Sequence, residues 1–302
     1  MKKLKYLVMA AIAAVVFACG TTRTVPITGR KQNILVSDEQ VLSLSNQEYT
    51  NYMKSAKLST NSANTAMVKR VGQRLATAVE TYLNEHGMAA DAKEYSWEFN
   101  LVQDKSVNAF CMPGGKIVVY EGLLPITQDE ASLAIVLGHE IAHAVAKHSA
   151  EQMSKQIKNQ YGTQILGQVL NAAGVSSSTT QLAQIIAQKG LQFCSLKYSR
   201  DNESEADHMG LIFAAMAGYD PNVAVTFWQR MAQATGSNNQ SDIFSDHPSD
   251  AKRIAAIKQE LPEALTYYKP VKTTTTTKKT TTSTKKKTRT TSKKKTTKTR
   301  RK

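Results

Sequence analysis

The chain has 302 residues and a mass of 33.1 kDa, enough for one or two domains with a real core. With 41% hydrophobic and 21% charged residues, its middle cannot be a disordered or collagen-like chain. The formal charge of +15 does not indicate specific nucleic-acid binding: 15 of the 39 Lys and Arg lie between Lys269 and Lys302, which holds no Asp or Glu, and the rest carries 24 bases against 24 acids.

Residues 1–18 have the basic start, short apolar run and small-residue end of a signal peptide. The run from Tyr6 to Ala18 is too short to span a bilayer, and Cys19 directly after Ala18 resembles a bacterial lipobox. Lipid attachment at Cys19 would anchor the mature chain to a membrane; the alternative is cleavage by an ordinary signal peptidase. Cys111 and Cys194 remain. They are read as buried free thiols, with a disulfide as the alternative.

From Gly20 to about Ser37 the chain is polar, with Pro26 and Gly29, and reads as a tether over 19–37. A domain is expected over 38–268. It opens with helices near 38–57 and 62–86, the second with apolar residues at Met67, Val68, Val71, Leu75, Ala78, Val79 and Leu83. Alternation at 97–101 and the β-branched run at 116–120, on either side of Pro113-Gly114-Gly115, predict two strands. Beyond Glu121 the pattern is helical: near 130–153, 159–172, 180–193, 199–217, 222–234 and 248–260. The expected class is α+β, predominantly helical. The tail, 269–302, is Thr, Lys and Arg with almost nothing apolar and is expected to be disordered. It is either a solvated extension or a contact for anionic lipid, wall polymer or, without specificity, nucleic acid.

The chemistry centres on His139-Glu140-Ile141-Ala142-His143 in an apolar helix. Two His at i and i+4 share a helical face, so their ring nitrogens can converge on one metal ion, with Glu140 about 100° round, in reach of a water on that ion. Zn²⁺ held by two His needs a third protein ligand and an open position. The run Ser199-Arg200-Asp201-Asn202-Glu203-Ser204-Glu205-Ala206-Asp207 supplies candidates. Glu203 and Asp207 share a face, so with Glu203 on the metal, Asp207 is placed to accept the N–H of a ligand His. Glu205 points to another face and reads rather as solvated or paired, which leaves it the second candidate for third ligand after Glu203. His148, five residues past His143, and His208 fit no ligand face and read as ordinary surface or core histidines.

These two motifs, with Val107-Asn108-Ala109-Phe110, Pro113-Gly114-Gly115 and Asp246-His247-Pro248, resemble the gluzincin metallopeptidases, the family of the CAAX prenyl protease and the HtpX heat-shock protease. The similarity covers roughly 40–262 and is greatest to the soluble envelope-lipoprotein branch that includes the β-barrel assembly-enhancing protease. It implies a zincin-like domain with one Zn²⁺, Glu203 as third ligand with Asp207 behind it, and an edge strand at Asn108, Ala109 and Phe110 that holds extended substrate by strand addition. It implies for His247 a reversible fourth ligand or an oxyanion contact, against a plain helix-entry residue. Arg253 either holds that loop or the oxyanion, or faces solvent. Cys111 stands where the family has an aliphatic residue, as inert packing or a redox handle.

The function expected is a zinc-dependent endopeptidase of the bacterial cell envelope, lipid-anchored, on the periplasmic face of the outer membrane. It would hydrolyse misfolded or misassembled envelope proteins with Glu140 as general base. The stretch 151–195 would act as a lid over the cleft. The rival reading is a non-catalytic or latent zinc scaffold that binds envelope proteins or wall polymer. Retention of Glu140 speaks against it, because a structural zinc site has no use for a base.

Overall fold

A computed structural model describes residues 21–171, 193, 198–236 and 251–270, without the side chains of 160–171 and 235–236. The signal peptide, Cys19, Cys194, His247 and the basic tail from Val271 on fall outside the described residues, as does most of the stretch expected to form a lid.

The segment expected to be a tether is, from Thr21 on, a hairpin of β1 (Thr21–Thr24) and β2 (Lys31–Ile34) that packs on the domain. Its polar composition hid this. A few apolar side chains, Val25, Ile34 and Val36, are buried in the domain's cores, while Gln32 donates through Nε2 to the Ala146 carbonyl at 2.9 Å.

Helix α1 (Asp38–Ser55) starts in a capping box, in which Ser37 and Gln40 each accept the other's backbone N–H. Helix α2 (Ser62–Glu85) is capped by Asn61 and buries Val68, Val71, Leu75, Val79 and Leu83, the stripe that the sequence pattern predicts. A Cβ at Gly72 would sit 2.1 Å from the Phe99 ring, so glycine there lets α2 lie flat on the sheet.

The sheet has three strands in the order β3 (Glu98–Val102), β5 (Lys116–Tyr120), β4 (Ala109–Met112). β5 pairs in parallel with β3 and antiparallel with β4. The tight β4–β5 turn uses Gly114 and Gly115 at φ 84° and 85°, a backbone region that side chains disfavour. Period-two alternation splits the strands between two layers. Leu101, Cys111, Ile117 and Val119 face the main core, and Phe110, Met112 and Val118 face a second one with Val41, Tyr49 and Met153.

Helix α3 (Glu130–Val145), capped by Asp129, carries residues 139–143 and is buried from Ser132 to Val145. The sequence pattern predicts one helix from 130 to 153. The helix instead stops, Lys147 takes φ 54°, and α4 (His148–Asn171) starts in a new direction. Lys147 is held there by Asp38 at 2.9 Å and Glu94 at 2.7 Å. Helix α5 (Arg200–Met216), capped by Ser199, crosses α3. Helices α6 (Val223–Gly236) and α7 (Ala251–Thr266) follow, and short helical turns lie at Ala89–Ala92 and Leu124–Thr127. Among the described residues no helix is long and apolar enough to cross a membrane.

Candidate metal centre

The crossing of α3 and α5 is a contact of backbone on backbone. A Cβ on Gly138 would meet the Gly210 carbonyl oxygen at 2.6 Å, and one on Gly210 would meet the His139 backbone nitrogen at 2.7 Å. Two glycines therefore let the helices approach closely, which brings Glu203 and Asp207 of α5 onto the histidines of α3.

There the Nε2 atoms of His139 and His143 are 3.1 Å apart, and the Glu203 carboxylate oxygens lie 3.4 Å from each. Ligands at zinc–nitrogen and zinc–oxygen distances in tetrahedral geometry are separated by about 3.3 Å, close to these separations, in which Oε2 faces His139 and Oε1 faces His143. The three residues form a buried His–His–Glu group able to hold a metal. This donor set leaves a fourth position for water or substrate, as hydrolytic zinc sites do. Glu140, next to His139 in α3, is buried as well.

Each histidine is held from behind. His139 Nδ1 lies 2.9 Å from Asp207 Oδ1 and donates to it. Asp207 is gripped by Arg253, whose Nε reaches Oδ2 at 2.7 Å and Nη2 reaches Oδ1 at 2.6 Å. The guanidinium lies 3.6 Å above the Trp228 ring. This excludes the solvent-facing reading of Arg253 and gives its Nε and Nη2 to Asp207, while its Nη1 lies 3.9 Å from Glu203. Burial opposes the Asp207 charge, but Arg253 and His139 outweigh it and hold the carboxyl below its ordinary value.

The other arm runs through His148, which the sequence reading takes for an ordinary surface or core histidine. His148 Nδ1 is 2.8 Å from His143 Nδ1, and its Nε2 is 2.9 Å from Glu205 Oε2. A helix continuing past Val145 would turn His148 away from His143; the break at Lys147 brings it round. His148 is thus a fully buried member of the site's surroundings and not an ordinary histidine. Glu205, expected to be solvated or paired, is paired with Arg30 of the hairpin. Tyr198 stacks on His143 with ring centroids 4.2 Å apart, and its hydroxyl lies 2.9 Å from the Ser149 hydroxyl. His208 is partly exposed and lies 3.7 Å from Glu263, as an ordinary histidine does.

The two rings titrate differently. Burial lowers the His139 pKa, but the hydrogen bonds to Asp207 and Glu203 outweigh it and push it up to about 9. Burial pushes His143 well below the ordinary imidazole value. Cys111 is a free buried thiol pushed up first by burial and then by the Glu140 charge, a setting that favours packing over reactivity.

Strand β4 begins at Ala109, and Asn108 accepts the Tyr120 N–H at 3.0 Å through its carbonyl. Ala109 and Phe110 are buried, Phe110 edge-on to Tyr52 at 5.3 Å. Among the described strands β4 pairs with β5 alone, which leaves its other side as the sheet's edge.

Comparison with known proteins agrees with this geometry. The family model described as Peptidase family M48 matches residues 62–261. The mitochondrial metalloendopeptidase OMA1 of Schizosaccharomyces pombe is 41% identical over 172 residues, covering 57% of this chain and 48% of that protein. The human mitochondrial metalloendopeptidase OMA1 is 31% identical over 244 residues, 80% of this chain and 46% of the relative. The beta-barrel assembly-enhancing protease of Escherichia coli K12 is 29% identical over 186 residues, 58% and 37%. The chain thus spans less than half the length of each of these three relatives. The resemblance carried by the sequence motifs is borne out: the chain belongs to peptidase family M48, whose members are zinc-dependent metalloproteases.

Proposed function

We propose that the chain is a zinc-dependent endopeptidase with His139, His143 and Glu203 as the metal ligands and Glu140 as the general base. The observation that carries this reading is the triangle of 3.1, 3.4 and 3.4 Å among the two Nε2 atoms and the Glu203 carboxylate, with Glu140 next to His139 in α3. Zinc, when bound, supplies Lewis-acid polarisation of water and of the scissile carbonyl. Glu140 takes the proton from the attacking water and delivers it to the leaving amine. Asp207 keeps His139 in the tautomer that presents Nε2 inward, and Arg253 keeps Asp207 ionised. The side of β4 that no described strand pairs, at Asn108, Ala109 and Phe110, is the place for an extended substrate to add as a strand.

The proposed setting is a bacterial cell envelope, with lipid on Cys19 and misfolded or misassembled envelope proteins as substrates. The leader at 1–19 supports it, as does the similarity to a protease named for enhancing β-barrel assembly. The mitochondrial relatives are named for another compartment, so the location rests on the leader. His247 is proposed as a latch or oxyanion contact, and the basic tail as a contact for anionic lipid or wall polymer.

The test pairs zinc content with cleavage of casein by the full chain, native and Glu140→Gln. One zinc per chain in both, with chelator-sensitive cleavage in the native protein alone, is expected. Equal zinc and no cleavage in either, across several unfolded substrates and in His247→Ala too, would overturn the peptidase in favour of a binding scaffold.

A further inference from the structure

We propose that His148 is a positioning residue for the metal, and that the N-terminal hairpin, acting through Arg30 and Glu205, sets the orientation of His143. The inference rests on the reading of His143 as a ligand.

The hydrogen-bond directions leave one consistent assignment. With Nε2 of His143 turned to the metal, its Nδ1 carries the proton and must donate. The only atom of His148 facing it is Nδ1 at 2.8 Å, which must therefore accept. That leaves the His148 proton on Nε2, aimed at Glu205 Oε2 at 2.9 Å. Glu205 in turn accepts from Arg30 Nε at 3.0 and 2.9 Å, from Arg30 Nη2 at 2.7 Å and from Thr28 Oγ1 at 2.6 Å. Arg30 also donates to Glu151 at 3.1 and 2.9 Å, and Glu151 accepts from Asn202 of α5 at 3.0 Å.

The two ligand histidines are therefore supported differently. His139 leans directly on a carboxylate of α5. His143 reaches its carboxylate through a second imidazole, and that carboxylate is fixed by an arginine in the turn of the hairpin. Arg30 lies outside the matched segment 62–261. The part of the chain preceding α1 thereby acts on the metal site through Glu205 and His148.

The experiment measures zinc affinity of the full chain by competition with a chromophoric chelator, together with the visible absorption of the cobalt-substituted protein. His148→Ala removes both bonds. His148→Gln keeps an acceptor for His143 and a donor for Glu205. Arg30→Gln loosens Glu205 from the hairpin, and His143→Ala is the control for the ligand itself. Expected are a roughly 10- to 100-fold loss of zinc affinity in His148→Ala with an altered cobalt spectrum, substantial recovery in His148→Gln, and a smaller loss in Arg30→Gln. A residue that merely fills space would change thermal stability of the metal-free protein and leave the affinity of the folded fraction unchanged.

If His148→Ala and Arg30→Gln bind zinc as tightly as the native chain while His143→Ala does not, the inference fails and the ligand reading stands. If His143→Ala also binds normally, the ligand reading itself is wrong. Should His148→Ala not fold, Arg30→Gln and His148→Gln decide: loss in the first with near-native affinity in the second supports the inference, and no loss in Arg30→Gln overturns it.

Discussion

Gly210 lies against the backbone of His139, so closely that a methyl group on it would come within 2.7 Å of the His139 nitrogen. The contact sits beside the proposed zinc ligand, and the atoms on its far side are main chain, which cannot rotate away. Gly210→Ala should therefore push α5 from α3 and cost about 1–3 kcal/mol of stability through overpacking. Zinc content should fall with it, because Glu203 and Asp207 move with α5. Thermal unfolding and metal analysis of the purified variant check both; a fully loaded, equally stable Gly210→Ala protein would contradict the account.

Asp207 and Arg253 are a buried pair joined by bonds of 2.7 and 2.6 Å. Breaking a buried ion pair by removing one partner costs about 3–5 kcal/mol, and here Asp207 would keep His139 at 2.9 Å and Arg253 would keep Glu203 at 3.9 Å. Asp207→Ala and Arg253→Met should each lose that much in urea unfolding of the metal-free protein. The double variant should lose clearly less than the sum of the two, which is the signature of coupled residues.

Acid should loosen the hairpin from the body. Burial raises the pKa of Glu205, but His148, Arg30 and Thr28 outweigh it and bring it down to about 2. Burial likewise opposes Glu151, where Arg30, Lys155 and Asn202 win and bring it to about 2. A carboxyl whose folded pKa is depressed contributes stability above its ordinary value of 4.5 and loses it as the pH falls from there to about 2. Stability of the metal-free protein should decline across that window, and Glu205→Gln should flatten the decline. An unchanged slope in the variant would argue against the pairing.

Glu260 has the opposite sign. Burial, then the charge of Asp207, pushes its carboxyl up to about 7, and its Oε2 has no hydrogen-bond partner among the described residues. The unfolded chain ionises near 4.5 and the folded one near 7, so stability is lost as the pH rises between those values. Glu260→Gln should stabilise the metal-free protein at pH 8 and leave it unchanged at pH 4, as read from urea unfolding at both pH values.

The sequence alone determined much of this protein. Residues 139–143 put two imidazoles on one helical face, and the spacing of Glu203 and Asp207 put two carboxylates on another. Helical period alone makes such pairs coincide, so no tertiary knowledge was needed to name them. The stripe of α2 and the glycine turn after β4 were legible for the same reason: both are local. Tertiary structure decided the rest. The hairpin at 21–34 is too polar to announce itself, and only a partner surface for Val25, Ile34 and Arg30 makes it fold. Lys147 breaks a helix that propensity would continue, because Asp38 and Glu94 hold its ammonium from other elements. That break delivers His148 to His143, and the meeting of Gly138 with Gly210 delivers α5 to α3. Each is a contact between residues distant in sequence, whose energy exists only once the chain has folded around it.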